Sequence, residues 1–129
     1  MYIFVEFNEA RDIGKTVDGC RTQCVGGIID KPGKGSFYAT DLEHVLRLQG
    51  ITHLVVAGLT TDVCVHTTIR DANDRGFETL ILRDCTAATE TRHRDAIFTM
   101  TEMQGGLFGA TATSDQLLAA LTSLTRIQE

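Results

Sequence analysis

Residues 52–58 read THLVVAG, an apolar run rich in β-branched residues with no polar alternation along it. A strand with one wet face alternates, whereas an unbroken run fits a strand covered on both faces, at the centre of a parallel sheet. A second run, ETLILRD, occupies 78–84. Between them Val65, Thr68, Ile69 and Ala72 recur at helical spacing, and Gly76 supplies a stop. Strand, helix and strand at this spacing form a βαβ unit, which predicts an α/β fold with a parallel sheet.

The chain extends this rhythm on both sides. GGIID at 26–30 predicts a short strand, closed by the proline and glycines of KPGKG. TDLEHVLRLQG predicts a helix starting at Thr40, which forms a T-x-x-E capping box with Glu43, turns Leu42, Val45, Leu46 and Leu48 inward, and ends at Gly50. TRHRDAIFTMTEM at 91–103 predicts another helix, and GATAT at 109–113 a last short strand. Ser114 is the expected cap of a terminal helix carrying Leu117, Leu118, Leu121 and Leu124. The first 25 residues fit less well. YIFVEF is a credible strand, but NEARDIGKTVDGCRTQCV shows no period and is a long connection for a compact domain.

A length of 129 residues fits one domain. With 12 Lys and Arg against 17 Asp and Glu, a polyanion-binding surface is not indicated, so nucleic acid is not an expected partner. No apolar run reaches the roughly 18–20 residues that span a bilayer, and MYIFVEFNEARD lacks the basic start and cleavage site of a signal peptide. The expected address is cytosolic, with no membrane contact, and there thiols are usually reduced. Cys20 and Cys24 have three residues between them and no second ligand pair, which gives a zinc site little support.

In a doubly wound sheet ligands bind beyond the carboxyl ends of the strands. That filter selects Lys31, the LTTDVC loop, and Asp84 with Cys85. Cys64 stands in the first turn of a helix, where the positive end of the macrodipole lowers a thiol pKa and unpaired backbone N–H groups can form an oxyanion hole. The alternative for Cys64 is a buried structural thiol, the commonest fate of free cysteine. Cys85 reads as structural, because no helix start follows it at once. On the residues alone Lys31 reads first as a solvated surface cation, and second as an ammonium held near a substrate by the rigid Pro-Gly turn. PGKGS is not a phosphate loop: the required earlier glycine falls on Ile28, and Gly35 follows Lys34. His44, His53 and His93 read as solvated, and His66, two residues past Cys64, points to another side of the helix.

The stretch IIDKPGKGSFYATDLEHVLRLQGITHLVVAGLTTDVCVHTTIRDANDRGFETLILRDCTAA resembles the isochorismatase-like cysteine hydrolases, in the amidohydrolase branch that includes biuret hydrolase and N-carbamoylsarcosine amidase. The similarity runs over about 26–122, with a lysine six residues before a phenylalanine and then VAG.TTD.CV..T..DA...G in the same order. It implies a three-layer α/β fold, a six-stranded parallel sheet with helices on both faces, in a single domain whose N-terminal part is cut short. It also implies an Asp, Lys and Cys triad that hydrolyses small amides or carbamoyl and ureido compounds, with no metal and no cofactor. Carried over by residue, Cys64 is the nucleophile and Lys31 the catalytic lysine. The backbone N–H groups of Thr60 and Cys64 form the oxyanion hole beside a cis Leu59–Thr60 peptide, and Gln104 and Phe37 contact substrate.

The triad's aspartate ends the family's first strand, and only 30 residues precede Lys31 here. Glu6 at the end of YIFVEF is the nearest substitute; Asp12, Asp18 and Asp30 have less support. A missing strand and helix would uncover apolar surface and drive self-association, so an oligomer is expected. Two readings follow. One is a cysteine amidohydrolase, weakened if no carboxylate replaces the aspartate. The other is a non-catalytic binding or subunit-interaction module. A flavodoxin-like nucleotide binder is disfavoured by the missing phosphate loop.

Overall fold

A computed structural model describes residues 2–6 and 29–127, with residues 2–6 and 124–127 as backbone alone. Strand β1 is Tyr2–Glu6, β2 is His53–Leu59, β3 is Glu78–Ala87 and β4 is Ala110–Ala112. Helix α1 is Leu42–Leu48, α2 is His66–Asp74, α3 is Thr91–Gly106 and α4 is Ser114–Ile127. One wide helical turn, Thr61–Val65, runs straight into α2. The four strands among the described residues are all parallel and lie in the order β1-β2-β3-β4.

The unbroken apolar run explains the position of β2. It pairs with β1 on one side and β3 on the other, and Leu54 through Gly58 are all buried. Leu54 and Val56 point into a core with Ile81, closed by Leu42 and Leu46 of α1, Val65, Ile69 and Ala72 of the α2 segment, and Ile97 and Phe98 of α3. The strand alternation turns Val55 and Ala57 to the other face, where they too are buried. Crossovers between parallel neighbours are right-handed, so α2 and α3 share one face. Helix α4 comes back along β3.

Several expectations are corrected. Within GGIID, Ile29 and Asp30 join no strand, while residues 26–28 lie outside the described residues. Helix α1 begins at Leu42. The Thr40 hydroxyl donates to Ser36 O at 2.6 Å and accepts Leu42 N–H at 3.3 Å. Glu43 turns away from the backbone toward Arg47, at 2.9 Å, and Arg75. These two guanidiniums, Arg47 first, hold its carboxyl below the usual range. The capping box is therefore replaced by an ion-pair cluster on the surface. Leu48 is 74% exposed, because it falls beyond the Leu42–Leu46 stripe that meets the core.

The cap of α4 is also displaced by one residue. Thr113 Oγ1 accepts Gln116 N–H at 3.3 Å, and Gln116 Oε1 accepts Thr113 N–H at 2.8 Å. Ser114 instead gives its N–H and hydroxyl to Asp84, at 2.8 and 2.5 Å. Of the apolar α4 positions described, Leu118 is exposed, and Leu117 and Leu121 are half-buried.

Candidate active site

The site is built where β2 ends. Val56 pairs with Ile81, but Gly58 pairs with Thr86, so two steps along β2 are matched by five along β3. The extra β3 residues Arg83, Asp84 and Cys85 leave this ladder and are exposed. Thr86 then returns to β2 and donates its hydroxyl to Gly58 O at 2.8 Å. Since that proton is committed, the 2.8 Å contact between the Thr61 and Thr86 hydroxyls has Thr61 as donor. This buried chain fastens the turn carrying Cys64 to the carboxyl end of the sheet.

The peptide between Leu59 and Thr60 is cis. Thr60 then takes the N-cap position, and its carbonyl accepts Val63 N–H at 3.3 Å and Val65 N–H at 3.2 Å. Cys64 lies within this turn with 0% of its surface exposed. Three buried polar atoms of the same short segment have no hydrogen-bond partner: Thr60 Oγ1, Asp62 Oδ1 and His66 Nε2. Such atoms are few in a native fold, and here they surround one thiol in sequence.

Asp62 stands in the LTTDVC loop, and Asp62, His66 and Arg70 follow one another at four-residue intervals along one helix face, a side of the helix other than that of Cys64. Asp62 meets His93 of α3, Oδ2 to Nδ1 at 3.2 Å, so His93 is not simply solvated. Burial, and then the Arg70 charge, push the His66 imidazolium below its ordinary pKa. Arg70 itself lies over the Phe108 ring, 3.5 Å from its centroid.

Lys31 sits on a loop rather than behind a described strand. Its ammonium donates to the carbonyl oxygens of Lys34 at 2.6 Å and Gly33 at 3.5 Å. This loop is fastened to α2, because Ser36 N–H donates to Thr68 Oγ1 at 3.1 Å. A side chain at Gly35 would come within 2.9 Å of Thr67 Cγ2, so any larger residue would force the loop or Thr67 to shift. Thr67 is one helical turn beyond Cys64, which ties the Lys31 loop to the helix that carries the thiol. Glu6 ends β1 in register with Gly58, at the same end of the sheet as Cys64.

Two expected substrate contacts are not brought to this place. Phe37 is buried in the core, stacked on Phe77 with ring centroids 5.7 Å apart and with Arg75 over its ring at 5.3 Å. Its apolar ring is spent on packing. Helix α3 runs antiparallel to the strands and carries the chain away from the Cys64 end. Its helical backbone breaks at Met103–Gly105, with Gln104 at φ 53°. The adjoining Gly105 and Gly106 line a groove with His53, Leu54, Glu78 and Thr79, which start β2 and β3. Gln104 therefore stands at the amino edge of the sheet, about 18 Å along α3 from its first turn. Of the other thiols, Cys85 is exposed, its pKa raised by burial first and by Asp84 second, and Cys20 and Cys24 lie outside the described residues.

A family model for the isochorismatase domain matches residues 17–116. The chain belongs to the isochorismatase family. Among curated members of that family, the ureidoacrylate amidohydrolase RutB of Methylobacterium radiotolerans is 40% identical over 72 residues, 54% of this chain and 28% of that protein. The isochorismatase family protein YrdC of Bacillus subtilis is 44% identical over 68 residues, 53% of this chain and 36% of that protein. Among solved isochorismatase relatives, a cysteine hydrolase from Pseudomonas syringae superposes with TM-score 0.75 at 26% identity, over 84% of this chain and 55% of that one. The nicotinamidase/pyrazinamidase PncA of Bacillus subtilis gives TM-score 0.60 at 30% identity, over 64% of this chain and 44% of that one. The matches thus span about a third of the curated relatives and about half of the solved chains.

Proposed function

We propose that this chain is a cysteine amidohydrolase acting on a small amide, carbamoyl or ureido compound through an acyl-enzyme. The observation that carries the reading is the placement of Cys64 in the first turn beyond the central strand, among buried polar atoms that the fold leaves unpaired. Membership of the isochorismatase family, with relatives named amidohydrolase and nicotinamidase, supports it.

In this mechanism the Cys64 thiolate attacks the amide carbon and the carbonyl electron pair moves onto oxygen. The N–H groups of Thr60 and Cys64 stabilise that oxyanion. The C–N bond breaks as the leaving amine takes a proton, and water then releases the acid or carbamate and restores the thiol. Glu6 is the proton carrier in this reading, supported by its register with Gly58. Lys31 stabilises the developing charge in this reading.

A non-catalytic interaction module is the second reading. It is favoured by the burial of Cys64 and by the folding of the Lys31 ammonium onto carbonyl groups of its own loop. Ammonia release from biuret, nicotinamide and N-carbamoyl compounds, with Cys64→Ala as control, separates the two. Hydrolysis of any of them by the wild type, lost in Cys64→Ala and in Lys31→Ala, is the expected result. Wild type and Cys64→Ala indistinguishable on every amide would leave only the module.

A further inference from the structure

Thr60 and Thr61 are adjacent, of one residue type and in one turn, yet their hydroxyls are treated differently. Thr61 Oγ1 is paired with Thr86 Oγ1 at 2.8 Å. Thr60 Oγ1 is buried with no partner. Thr60 also occupies the N-cap position, with φ −100° and ψ 155°, where a threonine hydroxyl ordinarily accepts an N–H of the following turn. Here no side-chain cap bond forms, and Val63 N–H goes to the Thr60 carbonyl instead. The fold thus surrounds this hydroxyl and assigns it neither a capping nor a packing bond.

Covalent geometry limits where the hydroxyl can be used. In the staggered rotamers that threonine prefers, Oγ1 lies about 3 Å from its own backbone nitrogen. The Thr60 N–H is one of the two donors assigned above to the oxyanion. A hydroxyl next to it can converge on the same acceptor, whereas a neutral amide oxygen before attack has less charge to reward a third donor.

We propose that Thr60 is a catalytic residue through its side chain, with Oγ1–H donating to the oxyanion as the Cys64 sulfur bonds to carbon and the carbonyl electron pair moves onto oxygen. The inference rests on the amidohydrolase reading above. The oxyanion gains a third donor only while tetrahedral, so the contribution falls on kcat rather than KM.

Thr60→Val keeps the shape and removes the hydroxyl. On whichever amide the wild type hydrolyses, it should lower kcat by about 10²- to 10³-fold, the loss typical of one oxyanion donor, with KM within about threefold. Thr60→Ser should restore most of that loss. An aldehyde analogue of the same amide adds Cys64 sulfur across its C=O and places oxygen at the oxyanion position. Intact-protein mass titration should show a similarly weakened adduct in Thr60→Val and none in Cys64→Ala. Unchanged kcat in Thr60→Val, or equal losses in the Val and Ser variants, would overturn the proposal. Wild type inactive on all amides removes the hydrolase reading separately. The aldehyde then decides alone: titrated with the biuret-shaped aldehyde, equal adduct affinity in wild type and Thr60→Val, or no adduct at all, overturns the role of Thr60.

Discussion

Thr86→Val tests the reasoning about the buried hydroxyl chain, because the bond directions make an asymmetric demand. Thr86 donates to Gly58 O and accepts from Thr61, both at 2.8 Å, and Thr61 and Thr86 are both buried. Valine preserves the shape, so no cavity term enters. It leaves the Gly58 carbonyl without this donor and the Thr61 hydroxyl without an acceptor, at about 1–3 kcal/mol each for a buried unmet group. The expected loss is roughly 2–6 kcal/mol. Thr61→Val removes only a donor to Thr86, which keeps its own bond to Gly58, so about 0.5–1.5 kcal/mol is expected. With a urea slope of about 2 kcal/mol per molar, the Thr86→Val midpoint should fall by about 1–3 M and the Thr61→Val midpoint by under about 1 M. The double variant should lose no more than Thr86→Val alone, since the Thr61 hydroxyl is then not stranded. Urea unfolding followed by circular dichroism reads all three. Equal losses in the two single variants, or a larger loss in Thr61→Val, would refute the assigned donor order.

Two further outcomes follow from the same structure. Burial and Arg70 depress the His66 pKa in the folded state, so as pH falls the unfolded chain protonates first. The His66 contribution to stability is whole above about pH 6.5, the unfolded value, and declines as pH drops toward the folded value. Urea midpoints between pH 8 and pH 5 should decline less steeply in His66→Gln than in wild type, and parallel profiles would remove His66 as the cause. Phe37→Ala should cost about 3–5 kcal/mol through loss of a buried ring stacked on Phe77; a variant of wild-type stability with altered KM would return Phe37 to substrate binding.

Much of the architecture was legible because local patterns and tertiary burial agree. THLVVAG reads as a doubly covered strand, and β2 occupies His53–Leu59 with five successive buried residues. Val65, Thr68, Ile69 and Ala72 recur at helical spacing, and all four are buried. Legibility failed where one polar side chain had two possible partners. Thr113 and Gln116 form a T-x-x-Q capping box visible in the sequence, but nothing local shows that Asp84, 30 residues away, engages Ser114. Glu43 likewise had a backbone N–H within local reach and turned to Arg47 and to the distant Arg75.

For the candidate site the division is sharper. The spacing that places Cys64 just beyond the central strand, and Glu6 at the end of a short apolar run, is a property of consecutive residues, and strand and helix periods follow directly from it. Which end of the sheet Gln104 reaches, whether Phe37 faces a ligand or a core, and which of two neighbouring threonines keeps an unspent hydroxyl depend on groups far apart in the chain. Those outcomes were decided only when folding brought β3, α2 and the 31–41 loop together, because a buried polar atom is satisfied or stranded by whatever packs against it and not by its neighbours in sequence.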